Sequence, residues 1–266
     1  MKTVLITGAG RGLGKAIALA FHQAGFTVIA TDVNLDLLSE QEGKDRFTCI
    51  KLDVTSEMDV RRCAAYTDEK FGQIDVLVSN AGIFDFYPVS ESGADHLKKL
   101  FDVNVFGLTN LSKYFLPQLL RKKGRLIVIG SESYKVPSPF QPYAVSKQAL
   151  ESIFKSINIE LSLKGIKSIL IRPGAIRTKI LDDTVLFRKE MNNSQFDREF
   201  GRFLETVPKY IGKIAEPEKV AQLVLKVANS KKPKTVYNIN HNPLLSLMPY
   251  IPNWLLKKFI MRSLTR

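Results

Sequence analysis

Seven short runs rich in aliphatic and β-branched residues recur along the chain: VLIT from Val4, TVIAT from Thr27, FTCIKL from Phe47, IDVLVS from Ile74, RLIVIG from Arg125, KSILIR from Lys167 and TVYNIN from Thr235. Most are continuously apolar and do not alternate with polar residues, the pattern of strands covered on both faces. Between them the period lengthens to that of a helix, as where Leu150, Ile153, Phe154, Ile157 and Leu161 share one face. Strand and helix in alternation predict an α/β fold: a doubly wound, parallel, seven-stranded sheet in a single domain. The rhythm breaks between residues 180 and 214, where charge and aromatics mix, and a helical insertion covering the site is expected there.

The end of the chain has a different pattern. In residues 243–266, Trp254, Leu255, Leu256, Phe259 and Ile260 share helical spacing, while Lys257, Lys258, Arg262 and Arg266 supply charge. That combination predicts an interfacial amphipathic helix in peripheral contact with a membrane. Packing on the domain or on another subunit is the alternative. The chain is therefore divided into a domain over 1–242 and a basic amphipathic segment over 243–266.

VLIT leads into TGAGRGLG, which sets glycines at Gly8, Gly10, Gly12 and Gly14 ahead of the helix pattern KAIALAFHQAG. Lacking Cβ atoms, such a loop lets backbone N–H groups approach a pyrophosphate, and the helix start behind it carries partial positive charge. The loop does not fit GxGxxG, because Leu13 stands where the third glycine would fall. The wider set Gly8, Gly12 and Gly14 remains, with Arg11 and Leu13 between them. Alone, this could be only a tight strand-to-helix connection. Asp32 shifts the balance, since it ends the second strand 20 residues after Gly12, where a carboxylate accepts hydrogen bonds from an adenosine ribose. A carboxylate there repels the 2′-phosphate of NADP, so NAD is expected; NADP is the alternative if Arg11 pairs with that phosphate.

The segment PYAVSK sets Tyr143 four residues before Lys147 at the start of a long helix, so both lie on one face. A phenol titrates near ~10, and bringing it to ~7 requires roughly 4 kcal/mol of phenolate stabilisation, within reach of an adjacent ammonium together with the charge of an oxidised nicotinamide. Ser131, upstream, can donate to a developing oxyanion. A surface Tyr/Lys pair and an ordinary loop serine are the alternatives to this acid–base reading.

Composition narrows the picture. With 266 residues and 45% hydrophobic content the chain can bury a full core. The net charge of +13 favours anionic surfaces, but the bases are dispersed and no nucleic-acid motif accompanies them, so no nucleic-acid partner is expected. Cys49 and Cys63 suggest no disulfide framework, and His22, His96 and His241 match no metal-ligand spacing, so no metal is expected. KTVLIT runs straight into the glycine loop, which leaves no room for a secretory leader, and no stretch approaches the ~18 apolar residues of a spanning helix. A soluble, cytoplasmic protein is the expectation.

Taken together, TGAGRGLG, Asp53 in KLDVT, Asn80–Ala81–Gly82, Asn104 in VNVFG, YAVSK and PGAIRT from Pro173 resemble the short-chain dehydrogenase/reductase family in its compact form, from Lys2 to about Asn240. The resemblance implies strand order 3-2-1-4-5-6-7, NAD(P)-dependent alcohol oxidation or carbonyl reduction, and a homo-oligomer, dimer or tetramer. It also implies roles. Tyr143 is the acid–base, Lys147 its activator and a ribose ligand, Ser131 the partner of the substrate oxygen and Asn104 a relay element. Asp53 and Val54 lie beside the adenine, Asn80, Ala81 and Gly82 near the adenosine ribose, and Pro173, Gly174, Ile176 and Thr178 around the nicotinamide. One departure is the serine: relatives commonly carry it 13 residues before the tyrosine, where this chain has Gly130. Ser131 is taken on the assumption of a loop one residue shorter, with Ser133 in reserve. The basic, apolar tail is similar to that of retinol and hydroxysteroid dehydrogenases.

IFDFYPV after the NAG turn, with Val136, Pro137, Pro139 and Phe140, would make the pocket apolar if these residues line it; packing in the core is the other reading. A lipophilic alcohol or carbonyl compound is the expected substrate. A small polar substrate handled by the same fold, or a nucleotide-binding interaction protein without turnover, are the alternatives.

Overall fold

Each apolar run forms a strand in the computed structural model: β1 (Thr3–Thr7), β2 (Thr27–Asp32), β3 (Phe47–Lys51), β4 (Val76–Ser79), β5 (Arg125–Ile129), β6 (Lys167–Pro173) and β7 (Val236–Ile239). The structure describes residues 1–135, 138–177, 194–210 and 213–265. The strands form one sheet in the order β3-β2-β1-β4-β5-β6-β7, every neighbouring pair parallel. The crossover between β3 and β4 carries the chain from one edge to the centre, opening a crevice at the carboxyl ends of the strands.

Helices cover both faces, so the inner strands β1, β2, β4, β5 and β6 are largely buried, while the edge strands β3 and β7 are mostly half-buried. On one face α1 (Gly12–Gln23) packs beside α7 (Pro217–Asn229), burying Ile17, Phe21, Val220 and Val224 against Val4, Ile6 and Val28. On the other, α2 (Glu57–Phe71), α4 (Gly107–Lys122) and α5 (Pro142–Leu163) bury Val60, Phe115 and Phe154 against Leu5, Leu77 and Leu126. Each such side chain contributes about 1.5–3 kcal/mol on removal from water. Ser56 caps α2 by accepting the Asp59 N–H, and Gly72 ends it at φ +71°, a conformation that costs glycine little.

A third cluster sits above the sheet's carboxyl edge. Phe86 and Phe140 meet Phe200 and Phe203 from α6 (Asp197–Tyr210) and Leu264 from α9 (Asn253–Thr265), all buried. The expected insertion over 180–214 is described only in part: α6 belongs to it, while 178–193 and 211–212 lie outside the described residues. Between β7 and α9 the chain forms a short α8 (Pro243–Leu247) and a 3-10 turn.

The sequence grouped Trp254 with Leu255, Leu256, Phe259 and Ile260 on one face of the tail; the structure splits them. Leu256 and Leu264 are buried, Ile260 packs on the aromatic cluster, and Arg202 donates to the Leu264 carbonyl at 2.9 Å. Trp254 and Leu255 face outward. Residues at i, i+4 and i+8 form the inner stripe, and i−1 and i−2 fall outside it. Among the described residues no helix is long and apolar enough to cross a membrane.

Candidate active site

Along the carboxyl ends of the strands runs a cavity of about 1210 Å³. One arm lies over the glycine loop. Gly8 and Gly12 adopt φ +64° and +52°, the left-handed region that favours glycine. A Cβ on Gly14 would stand 1.9 Å from the Gly8 carbonyl oxygen, so the first turn of α1 can approach β1 this closely only without one. No side chain caps α1 at Arg11, and Gly12, Leu13 and Gly14 of its first turn line the cavity. Such a shallow cradle with an uncapped helix start fits the pyrophosphate of a dinucleotide.

Asp32 closes the far side of this arm. It is buried and lines the cavity; Oδ2 accepts the Gly10 N–H at 2.9 Å and Oδ1 the Asn34 N–H at 3.1 Å. Each oxygen retains acceptor capacity for a ribose hydroxyl. Arg11 is exposed at the rim, and among the described residues no ion pair joins it to Asp32. Asp53, Val54, Asn80, Ala81 and Gly82 line the same wall. Asn80 is fixed there by donating to the Thr7 and Gly8 carbonyls at 2.9 and 3.2 Å, which ties the exit of β4 to the glycine loop. Pro173, Gly174 and Ile176 complete the arm, whereas Thr178 lies outside the described residues.

The second arm holds the hydroxyl groups. Pro142 at the first position of α5 supplies the φ a helix start needs, and the preceding Phe140 sits at φ +62°, unusual for a bulky side chain. Its burial among Phe196, Phe200 and Phe203, and its carbonyl's bond from the Tyr87 N–H at 3.0 Å, hold it in place. Tyr143 is thereby aimed into the cavity, where its ring packs on Phe84 with centroids 4.6 Å apart.

Burial pushes the Tyr143 phenol up to about 12, and a hydrogen bond with Ser131 works against that rise. Ser131 Oγ also accepts the Ser133 N–H at 3.1 Å. Lys147 is only 6% exposed; burial brings its ammonium down to about 8. Its Nζ donates to the Ile129 carbonyl at 3.2 Å and lies 5.6 Å from the Tyr143 ring centroid. Desolvation is the largest influence on both groups.

Asn104 differs most from expectation. It is buried in a π-helical turn, Asp102–Phe106, between α3 (Gly93–Phe101) and α4, and is not among the cavity-lining residues. Its Oδ1 accepts the Ile83 N–H at 2.8 Å, and its Nδ2 donates to the Ile83 carbonyl at 2.9 Å and to Ser146 Oγ at 3.0 Å. The side chain is a brace between the loop after β4 and α5, which fixes the separation of Gly82 from Lys147.

The outer wall draws on the IFDFYPV segment, as one of the two readings of that segment had it, and on α9, which the sequence did not place there. Phe84, Phe86 and Phe203 line the cavity with Leu256, Phe259 and Ile260 of α9, so a helix distant in sequence closes over the hydroxyl groups. Phe86 and Phe203 serve the core and the cavity at once, while Val136 and Pro137 lie outside the described residues. Glu132, beside Ser131, is a further buried cavity residue that the motif reading passed over.

Comparison with known proteins adds to this geometry. Residues 2–188 match the family described as short chain dehydrogenase. The chain is 33% identical over 244 residues to a diacetyl reductase, (S)-acetoin forming, of Staphylococcus epidermidis, covering 86% of this chain and 92% of that protein. It is 32% identical over 194 residues to a 7alpha-hydroxysteroid dehydrogenase of Escherichia coli, covering 69% and 74% of the two chains. A short-chain dehydrogenase structure from Streptomyces avermitilis superposes with a TM-score of 0.79 at 27% identity, covering 100% of this chain and 97% of that one.

Proposed function

The chain belongs to the short-chain dehydrogenase/reductase family and is an NAD(P)-dependent oxidoreductase of alcohols and carbonyls, and on that premise we propose that its substrate is lipophilic and its nucleotide NAD. The apolar wall carries this reading. Phe84, Phe86, Phe203, Leu256, Phe259 and Ile260 surround the space beside the Tyr143 and Ser131 hydroxyls, a surface that a small polar molecule would leave wet. The similar proteins named above act on diacetyl and on a hydroxysteroid, so relatedness alone leaves both sizes open.

The nicotinamide, when bound, supplies the hydride acceptor for oxidation and the donor for reduction. Tyr143 exchanges the proton with the substrate oxygen. Held at about 12, the phenol is protonated at neutral pH in the ligand-free chain, the form that gives its proton to a carbonyl oxygen during reduction. Ser131 donates to the same oxygen and fixes its direction. Lys147, still largely charged near pH 7 at a pKa of about 8, holds positive potential behind the phenol and offers donors to the nicotinamide ribose. Oxidation runs the same contacts in reverse, with phenolate accepting the hydroxyl proton. Gly8, Gly12 and Gly14 receive the pyrophosphate, and Asp32 the adenosine ribose hydroxyls, which disfavours a 2′-phosphate.

Trp254 and Tyr250 are 69% and 86% exposed, and Phe259 is 52% exposed while also lining the cavity. With exposed Lys257, Lys258 and Arg262 on the same helix, this supports peripheral contact with an anionic lipid surface at the cavity mouth. Exposed Val145, Ile159 and Leu163 on α5 support a homo-oligomer, a dimer or tetramer.

The test is a panel of retinoid, steroid, acyl-chain and sugar alcohols and their carbonyl forms, followed by NADH absorbance. Apolar members should give the highest kcat/KM. A sugar or acetoin as the best substrate would refute the lipophilic reading.

A further inference from the structure

We propose that Glu132 is a positioning residue that joins the Ser131 loop to the C-terminal wall of the cavity. It follows Ser131 directly, at the start of a 3-10 turn, and its residue is only 9% exposed. Oε2 accepts the backbone N–H of Asn242 at 2.7 Å, a contact spanning 110 residues of sequence. Oε1 stands over Gly174: a Cβ there would approach it to 2.9 Å and the Asn240 carbonyl oxygen to 2.0 Å. Glu132 therefore occupies the point where the chain leaves β5, β6 and β7, and Gly174 is the residue that gives it room.

The stretch just before Asn242 is pinned as well. Asn240, at φ +54°, donates through Nδ2 to the Ala175 carbonyl at 2.9 Å and to the Lys213 carbonyl. Immediately beyond Asn242 the chain turns into α8, the 3-10 turn and then α9, which bring Leu245, Met248, Leu256, Phe259 and Ile260 to the cavity. A displacement of Asn242 shifts that wall, and through the carboxylate it is transmitted to the residue adjoining Ser131. The contact needs an acceptor of this length at this place, and the Asn242 N–H would lose its side-chain partner if the acceptor were removed. The effect of the contact is to make the wall that receives substrate and the hydroxyl that orients substrate move as one unit.

Two measurements test this. Hydrogen exchange of the full-length, ligand-free protein needs no substrate and so stands apart from the lipophilic reading. Glu132→Ala should raise exchange of amides in 242–265 by about tenfold or more, with β1 and β4 unchanged. Glu132→Gln, which keeps an acceptor at the same place, should recover most of the protection. Unchanged exchange in 242–265, or an equal rise across the whole sheet, would overturn the proposal.

The second measurement rests on the cavity being the substrate chamber and uses whichever panel member turns over. Glu132→Ala and Ile260→Ala should be non-additive in kcat/KM, because both act through the position of the same helix. Additive losses would overturn the coupling of Glu132 to that wall. Should no panel member turn over, the proposed substrate fails while the exchange result still decides the role of Glu132.

Discussion

Replacing Lys147 with Met should stabilise the ligand-free protein while removing its activity. Burial lowers this ammonium from 10.5 to about 8, so the folded chain at neutral pH carries a charge it disfavours by about 3 kcal/mol. Methionine fills the methylene volume without the charge and forfeits the bond to the Ile129 carbonyl, worth about 1 kcal/mol. The net gain is about 1–2 kcal/mol, or roughly 3–8 °C in Tm for a chain of this size. The sign with pH follows from which state holds more protons. Between the folded value near 8 and the unfolded value near 10.5, the unfolded chain binds the extra proton, so wild-type stability rises through this window. The penalty is fully present below it and gone above it. Tyr143 opposes this only from about pH 10 upward, where an unfolded phenol ionises and the buried one does not. Thermal melts of both proteins at about pH 7 and about pH 9.5 should therefore show a gap that narrows at the higher pH. A variant melting below wild type at neutral pH, or a gap indifferent to pH, would refute the reasoning.

Three further substitutions probe other parts of the site. Gly14→Ala drives a Cβ to 1.9 Å from the Gly8 carbonyl and should weaken NADH binding by at least about tenfold in a fluorescence titration. Asp32→Ser removes the carboxylate that meets the ribose and should narrow the ratio of kcat/KM between NAD and NADP; an unmutated enzyme as efficient with NADP would count against that argument. Phe203→Ala opens a void between the aromatic cluster and the cavity, and should cost about 3 kcal/mol in denaturant melts while raising KM most for the bulkiest substrates.

The sheet was legible because parallel strands buried on both faces are mostly continuously apolar, and all seven runs became strands in the implied order. The glycine turn was legible for a related reason: the positive φ of Gly8 and Gly12 and the close approach at Gly14 restrict the residue type, so the geometry shows in the letters. The wall around the hydroxyls was legible only in part, at the segment after the NAG turn and as an insertion over the site. Phe203 and Ile260 reach the cavity from helices far apart in sequence, and no local period records which elements meet there. The amphipathic spacing of the tail left open whether its apolar face meets a membrane or packs on the domain, and Leu256 and Leu264 turn inward while Trp254 and Phe259 stay exposed. The bonds that join the Asn104 amide to Ile83 and Ser146 were not legible either, because they link elements that no local period connects. The state of Tyr143 was also out of reach, since spacing reports neighbours and not desolvation.

The central claim is that Tyr143 moves the proton in a nicotinamide-dependent reaction, and Tyr143→Phe tests it most directly. The substitution removes one hydroxyl and leaves the ring on Phe84, so the fold and the nucleotide arm should persist. NADH affinity, read by fluorescence titration, should stay within about threefold of wild type, while kcat with the best panel substrate falls by about 10²-fold or more. Turnover near the wild-type rate in Tyr143→Phe, with NADH still bound, would contradict the account.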